Sequence, residues 1–137
     1  MMFLEWNDIY SVNIKEIDSQ HKNLFSLINK VQFSDKDKPN TKEEINKILD
    51  EMNDYAIYHF DTEEKYFKQF NYPKEEEHNG RHREYRDLVK KITEELNTKS
   101  IEENISEISN FLKKWWLGHI QNEDMQYSDF LNKNGLY

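Results

Sequence analysis

Five histidines and a small set of carboxylates recur at helical intervals along this chain. His59 and Glu63 are four residues apart in H-F-D-T-E, and His78 and His82 are four apart in H-N-G-R-H. Side chains four apart lie one above the other on a helix, so each pair can grip a single centre. His21 falls on an earlier apolar stripe and His119 on a later one, with Glu123 four and Asp124 five residues beyond His119. Helical geometry favours Glu123, because five residues rotate a side chain about 140° away. Gly118 is a place where the helix could bend or tighten, so the choice between the two acids stays open. Glu64 and Lys65 are expected on the surface. An unpaired carboxylate in a dry interior is very costly, so an inward Glu63 needs a partner, a proton or a metal.

A lone histidine on an apolar stripe is more often a satisfied core residue than a ligand. That account fails for five, with at least one on every helical segment and none left for the surface. Nitrogen and oxygen donors without sulfur suit Zn, Cu, Fe or Ni. Seven such ligands are too many for one tetrahedral zinc, whereas two metals sharing bridging carboxylates accommodate them.

Four amphipathic segments must position these residues. The first runs from about Asp18 to Phe33, with Ile17, His21, Leu24, Ile28 and Val31 on one face. A polar break, S-D-K-D-K-P-N with Pro39, precedes a second segment from Thr41 to about Phe70. There T-K-E-E has capping-box form, and the stripe reads Ile45, Ile48, Met52, Tyr55, His59, Glu63. N-Y-P makes a corner, placing Pro73 in the first turn of a third helix that carries His78, His82, Tyr85, Val89, Ile92 and Leu96. A second capping box, S-I-E-E at Ser100, opens the fourth, with Ile101, Ile105, Ile108, Leu112, Trp115 and His119. Spacings alternating between three and four predict an all-α, antiparallel up-down-up-down four-helix bundle. It forms one domain over residues 1–137, with an extended N-terminal arm over about 1–17 and the bundle over about 18–132.

Composition removes other functions. Lys and Arg total 19 against 27 Asp and Glu, a net charge of −8 that argues against nucleic acid or an anionic membrane as partner. The absence of cysteine excludes disulfides, thiolate metal sites and cysteine nucleophiles. No stretch approaches the roughly 20 apolar residues of a membrane helix. M-M-F-L-E-W-N-D-I-Y has no basic region before an apolar run, so no signal peptide is expected and a cytoplasmic location is. Three Gly and two Pro in 137 residues suit long helices.

Read in order, His21, then His59-F-D-T-Glu63, His78-N-G-R-His82 and His119-I-Q-N-E-Asp124 resembles the hemerythrins, non-haem di-iron proteins that bind dioxygen. W-N-D-I-Y-S-V-N-I-K-E-I-D-S-Q-H-K-N-L-F is similar to their bacterial branch, and the resemblance extends from Trp6 to about Tyr127. It implies one iron held by His78, His82 and His119, and another held by His21 and His59 that keeps an open position. Glu63 and Asp124 would bridge the irons together with an oxo or hydroxo group; the resemblance thus selects Asp124 over Glu123. Asn13 stands where the bacterial pattern usually has glycine, and asparagine tolerates left-handed backbone better than most residues.

The implied activity is reversible dioxygen binding for storage, delivery or sensing, without enzymatic turnover, with small anions as further ligands of the open iron. Leu24, Phe60, Trp115 and Ile120 are candidates for an apolar oxygen pocket, and Tyr127 for a hydrogen bond to a bridging carboxylate; ordinary core packing explains each equally well. Two rival readings are a di-iron oxidase or peroxidase, and a structural or storage site holding zinc or iron. Histidine-rich ligation carries less negative charge than the four-carboxylate sets of oxygen-activating enzymes, which disfavours the first. The ligand count disfavours the second. The sequence fixes no oligomeric state.

Overall fold

Two hydroxyl caps and one left-handed asparagine set three of the helix boundaries. In a computed structural model describing residues 3–33, 40–95 and 99–137, the Thr41 hydroxyl accepts from the Glu44 N–H and Ser100 from the Glu103 N–H, each at 3.2 Å. These start α2 (Lys42–Phe70) and α4 (Ile101–His119). Asn71, at φ 56°, ends α2; the Tyr72 N–H turns back to the Phe67 carbonyl at 2.9 Å, and the two rings pack 4.8 Å apart. This is the bonding and apolar contact of a Schellman end. Pro73 lies in the turn before α3 (Glu75–Glu95), not in its first turn, and the Glu75 N–H closes that turn on the Tyr72 carbonyl at 3.2 Å.

α1 (Lys15–Gln32) begins three residues before Asp18. The Asp18 carboxylate instead reaches back to the Ser11 hydroxyl at 2.5 Å and the Val12 N–H at 2.8 Å, fastening the arm to the first turn. Asn13 adopts the left-handed backbone, φ 58°, that its type tolerates. The arm is packed, not loose: Leu4, Val12 and Ile14 are buried, and Asn29 exchanges two hydrogen bonds with the Leu4 backbone. Pro39 and Leu96 lie outside the described residues.

α1 packs on α2 and α4, and α3 packs on the same two, giving the four-helix square of an antiparallel bundle. There is no strand among the described residues, and none of their helices is long and apolar enough to cross a membrane. α4 continues through a π-helical turn (Ile120–Asp124) into α5 (Met125–Lys133) without leaving helical dihedrals. Two apolar clusters fill the interior. One includes Leu24, Met52, Ala56, Phe60, Tyr85, Leu112, Trp116 and Ile120; the other gathers Val12, Ile14, Ile17, Phe67, Tyr72, Tyr127 and Leu131. On α1 His21 falls between Ile17 of one cluster and Leu24 of the other, and on α2 His59 and Glu63 fall between Ala56 and Phe67. A polar layer thus crosses the bundle at a single level, sealed on both sides.

Candidate metal centre

Each helix delivers its donors to that level. α1 supplies His21, α2 His59 and Glu63, α3 His78 and His82, and the α4–π segment His119 and Asp124; all seven are at most 3 % exposed. They assemble as two adjacent groups able to hold metal ions, Glu63 with His78, His82 and His119, and His21 with His59 and Asp124.

The carboxylates join the groups. Asp124 Oδ1 lies 3.0 Å from both His78 Nε2 and His119 Nε2, while Oδ2 lies 2.9 Å from His21 Nε2. Glu63 Oε1 is 3.2 Å from His59 Nε2 and 3.2 Å from His82 Nε2, and Oε2 is 3.5 Å from His78 Nε2. Donors bound to one ion at about 2.0–2.2 Å sit roughly 2.8–3.6 Å from each other, so these separations fit shared coordination. Both oxygens of each acid, and Nε2 of His78, His82 and His119, are buried with no satisfactory hydrogen bond among the described residues. Buried polar atoms are almost always paired, and so many orphans in one layer are what a cation would satisfy.

Without a cation the layer balances its own charge. Burial alone would raise the Glu63 carboxyl, but the imidazoles of His59 and His78 hold it well below the usual carboxylate range. Burial and the neighbouring Glu63 likewise oppose ionisation of Asp124, and His119 and His21 overcome them. Burial works to lower His78, yet the Glu63 and Asp124 carboxylates push it up to about 10. His59 goes the other way, lowered chiefly by burial.

The turn at Ile120–Asp124 decides which acid after His119 faces inward. Its Met125 N–H donates to the Ile120 carbonyl five residues back, so one extra residue is accommodated in the turn and the fifth position after His119 faces inward. Asp124 is fully buried, and Glu123 turns outward to Arg81 at 3.2 Å. The helix widens here rather than tightens. Gly118 is not required for this, since an added Cβ would meet only the Asn122 amide at 4.0 Å.

Several expectations shift by one residue. Leu24, Phe60 and Ile120 are fully buried beside the donors. Trp115 is half-buried and stacks on the His119 ring at 4.6 Å, whereas Trp116 is fully buried and lies 5.8 Å from His59. On α2 the same displacement makes Leu49 and Ala56 the buried positions, with Ile48 and Tyr55 half-exposed at the edge. Tyr127 is fully buried; burial first, then the Asp124 and Glu63 charges, hold the proton on its hydroxyl.

Sequence reading missed the residues behind the donors. The His59 Nδ1 donates to Gln20 Oε1 at 2.7 Å, and the Gln20 amide donates to the Thr62 hydroxyl at 3.1 Å. Thr62 in turn donates to the Tyr58 carbonyl at 3.0 Å, so the chain has one consistent direction and leaves His59 Nε2 as the lone-pair nitrogen, 3.2 Å from both His21 Nε2 and Glu63 Oε1. Glu64 is only 31 % exposed at its side chain and pairs with His82 Nδ1 at 3.2 Å, which corrects its reading as an ordinary surface acid. Gln20 and Glu64 each adjoin a donor in sequence, but only helix pairing shows that they reach a histidine on the next helix.

Comparison with known proteins agrees with this architecture. The family model of the hemerythrin HHE cation binding domain matches residues 12–131. Bacteriohemerythrin of Clostridium acetobutylicum is 31 % identical over 130 residues, covering 90 % of this chain and 98 % of the relative. A hemerythrin-like protein of Naegleria gruberi is 29 % identical over 126 residues, covering 92 % of both. A wild-type hemerythrin crystal structure shares the fold at a TM-score of 0.78 and 23 % identity, covering 93 % of this chain and 96 % of that one. With the family model spanning residues 12–131, nearly all of the bundle, the chain belongs to the hemerythrin family.

Proposed function

We propose that the two donor groups hold a pair of iron ions and that the protein binds dioxygen reversibly, for storage, delivery or sensing, without turning over a substrate. The observation carrying this reading is the split orientation of Asp124, one oxygen toward His78 and His119 and the other toward His21. A carboxylate so placed serves two ions at once. Glu63 also reaches both groups, though through one oxygen: Oε1 faces His59 and His82, while Oε2 faces His78. His78, His82 and His119 complete one site, and His21 and His59 the other, whose smaller donor set leaves room for dioxygen or a small anion.

When bound, two ferrous ions supply the two electrons that dioxygen takes up. The chain does the rest. Gln20 and Glu64 fix the tautomers of His59 and His82. Leu24, Phe60, Trp116 and Ile120, all fully buried, exclude water from the site and so slow irreversible oxidation. Tyr127 keeps its proton, and its hydroxyl, buried without a partner among the described residues, is free to donate to a bridging carboxylate. Five neutral imidazoles contribute no negative charge, which works against the higher iron oxidation states an oxidase needs. The relatives named bacteriohemerythrin support the same assignment, and a cytoplasmic setting fits the cysteine-free, acidic chain.

The test is an iron assay combined with visible spectra recorded anaerobically after reduction, after oxygen is admitted, and after it is removed. Two irons per chain with oxygen-dependent bands that fade on deoxygenation are expected. A single irreversible oxidation, with recovery only on adding reductant, would transfer the assignment to an oxidase or peroxidase. Zinc in place of iron would overturn both.

A further inference from the structure

Outside the metal layer, α2 and α3 enclose a cavity of about 370 Å³ that opens to solvent. The short side chains of Ala56 and Val89 leave this gap, Phe60 lines its inner end, and the half-exposed Ile57 stands at its rim. A dry apolar cavity of about 150 Å³ already accepts a benzene ring; this one has more than twice that volume and falls within the range of ligand pockets.

Its polar lining is Asn53, Thr93, Glu94 and two cations, Arg86 and Lys90, in a chain whose net charge is −8. Arg86 and Lys90, four residues apart on the same face of α3, line the opening, and neither has an ion pair among the described residues. The Arg86 guanidinium lies 6.0 Å from the Phe60 ring, directly over the apolar lining. Two carboxylates bear on this charge. Glu64 feels Arg86 but is committed to His82 at 3.2 Å, and Glu94 lines the cavity one turn beyond Lys90. An anionic head is therefore directed to the Arg86 end, away from Glu94, with its apolar body between Ala56, Phe60 and Val89.

We propose that this cavity is a binding site for a small amphipathic monocarboxylate, a short apolar chain or ring whose carboxylate pairs with Arg86 and Lys90. Guanidinium suits a carboxylate by its two-pronged geometry. The bound molecule would lie against Phe60, whose ring stacks on His82 at 3.9 Å, one ring away from the metal layer.

Calorimetric titration of the protein as purified with octanoate, and separately with octanol, tests the site. None of the lining residues is a metal donor, so failure here leaves the iron assignment untouched, and failure there leaves this one. One octanoate per chain is expected, with a dissociation constant on the order of 1 mM or tighter, and octanol should bind more weakly. Arg86→Glu, on an exposed position, should weaken octanoate about three- to tenfold. Val89→Phe should abolish binding by filling the space, with helical circular dichroism and thermal midpoint as folding controls; Ile57→Glu, at an exposed position, should weaken it if that core variant fails to fold. No saturable heat, equal affinity in the Arg86 and Ile57 variants, or octanol binding as tightly as octanoate would each overturn the proposal.

Discussion

Replacing Gln20 should empty one metal position and leave the other filled. Gln20 is nearly inaccessible to solvent, accepts from His59 Nδ1 at 2.7 Å and is itself oriented by Thr62 at 3.1 Å. In Gln20→Leu the Nδ1 proton loses its acceptor, at a cost of about 1–3 kcal/mol for a buried unsatisfied group. The imidazole can escape part of that cost by moving the proton to Nε2, the atom that faces Glu63 and Asp124. Any ion at that nitrogen must then reverse the shift. The same energy, read as an equilibrium, is about 5- to 150-fold in affinity, which overlaps the roughly 10- to 100-fold loss typical when a ligand's hydrogen-bond partner is removed. Thr62 keeps its own bond to the Tyr58 carbonyl, so no second orphan complicates the variant.

The assay is metal retention under graded chelator challenge. Only the His21–His59–Asp124 group depends on Gln20, whereas His82 is oriented separately by Glu64. Iron in Gln20→Leu should therefore fall from about two to about one per chain at chelator concentrations that spare the parent, and Gln20→Glu, which keeps an acceptor, should restore it. Loss of both irons together, or no change in retention, would refute the argument that Gln20 sets the His59 tautomer.

Three further outcomes follow from the same geometry. Asp124→Asn should lose both irons, because its two oxygens face opposite donor groups, while Glu123→Gln, on the outward Arg81 pair, should keep both; iron analysis after gel filtration decides it. Iron uptake by the metal-free chain at pH 8 should release at least about one proton, read with an indicator dye, since His78 is held up to about 10 and must become neutral to ligate. The sign follows: this raised pKa stabilises the metal-free chain fully below about 6.5 and progressively less toward 10, so its thermal midpoint should fall over that window while iron affinity rises. Asn13→Ala should cost about 1 kcal/mol, lowering the midpoint by roughly 3–5 °C, because alanine resists φ near 58°, and Asn13→Gly should not.

The bundle and the inward placement of most candidate donors were legible because the helical period is written in two kinds of residue at once. On α1 the stripe Ile17, His21, Leu24, Ile28, Val31 is buried throughout, as expected. Histidines interrupt apolar rows at intervals that leave the rows in phase, so fold and site are read from one pattern. What partners the donors was not legible. Gln20 meets His59 across 39 residues, and Glu64 meets His82 across 18; such pairings depend on how two helices are turned against each other.

The remaining ambiguities share one cause, adjacent residues of like chemistry. Trp115 and Trp116 are both apolar and aromatic, and Glu123 and Asp124 are both acids, so a shift of one residue, about 100° of helix, exchanges two plausible readings. Downstream residues do not break the tie. A row through Glu123 would continue to Tyr127 and Phe130, while a row through Asp124 continues to Tyr127 and Leu131, and every one of these is apolar or aromatic. The structure buries Leu131 completely and leaves Phe130 half-exposed against Tyr72. The phase is decided by the π turn, which carries no distinctive sequence in I-Q-N-E-D. A buried donor layer favours such a turn: re-aiming one carboxylate between two imidazole groups requires a single extra residue and leaves the packing above and below in register.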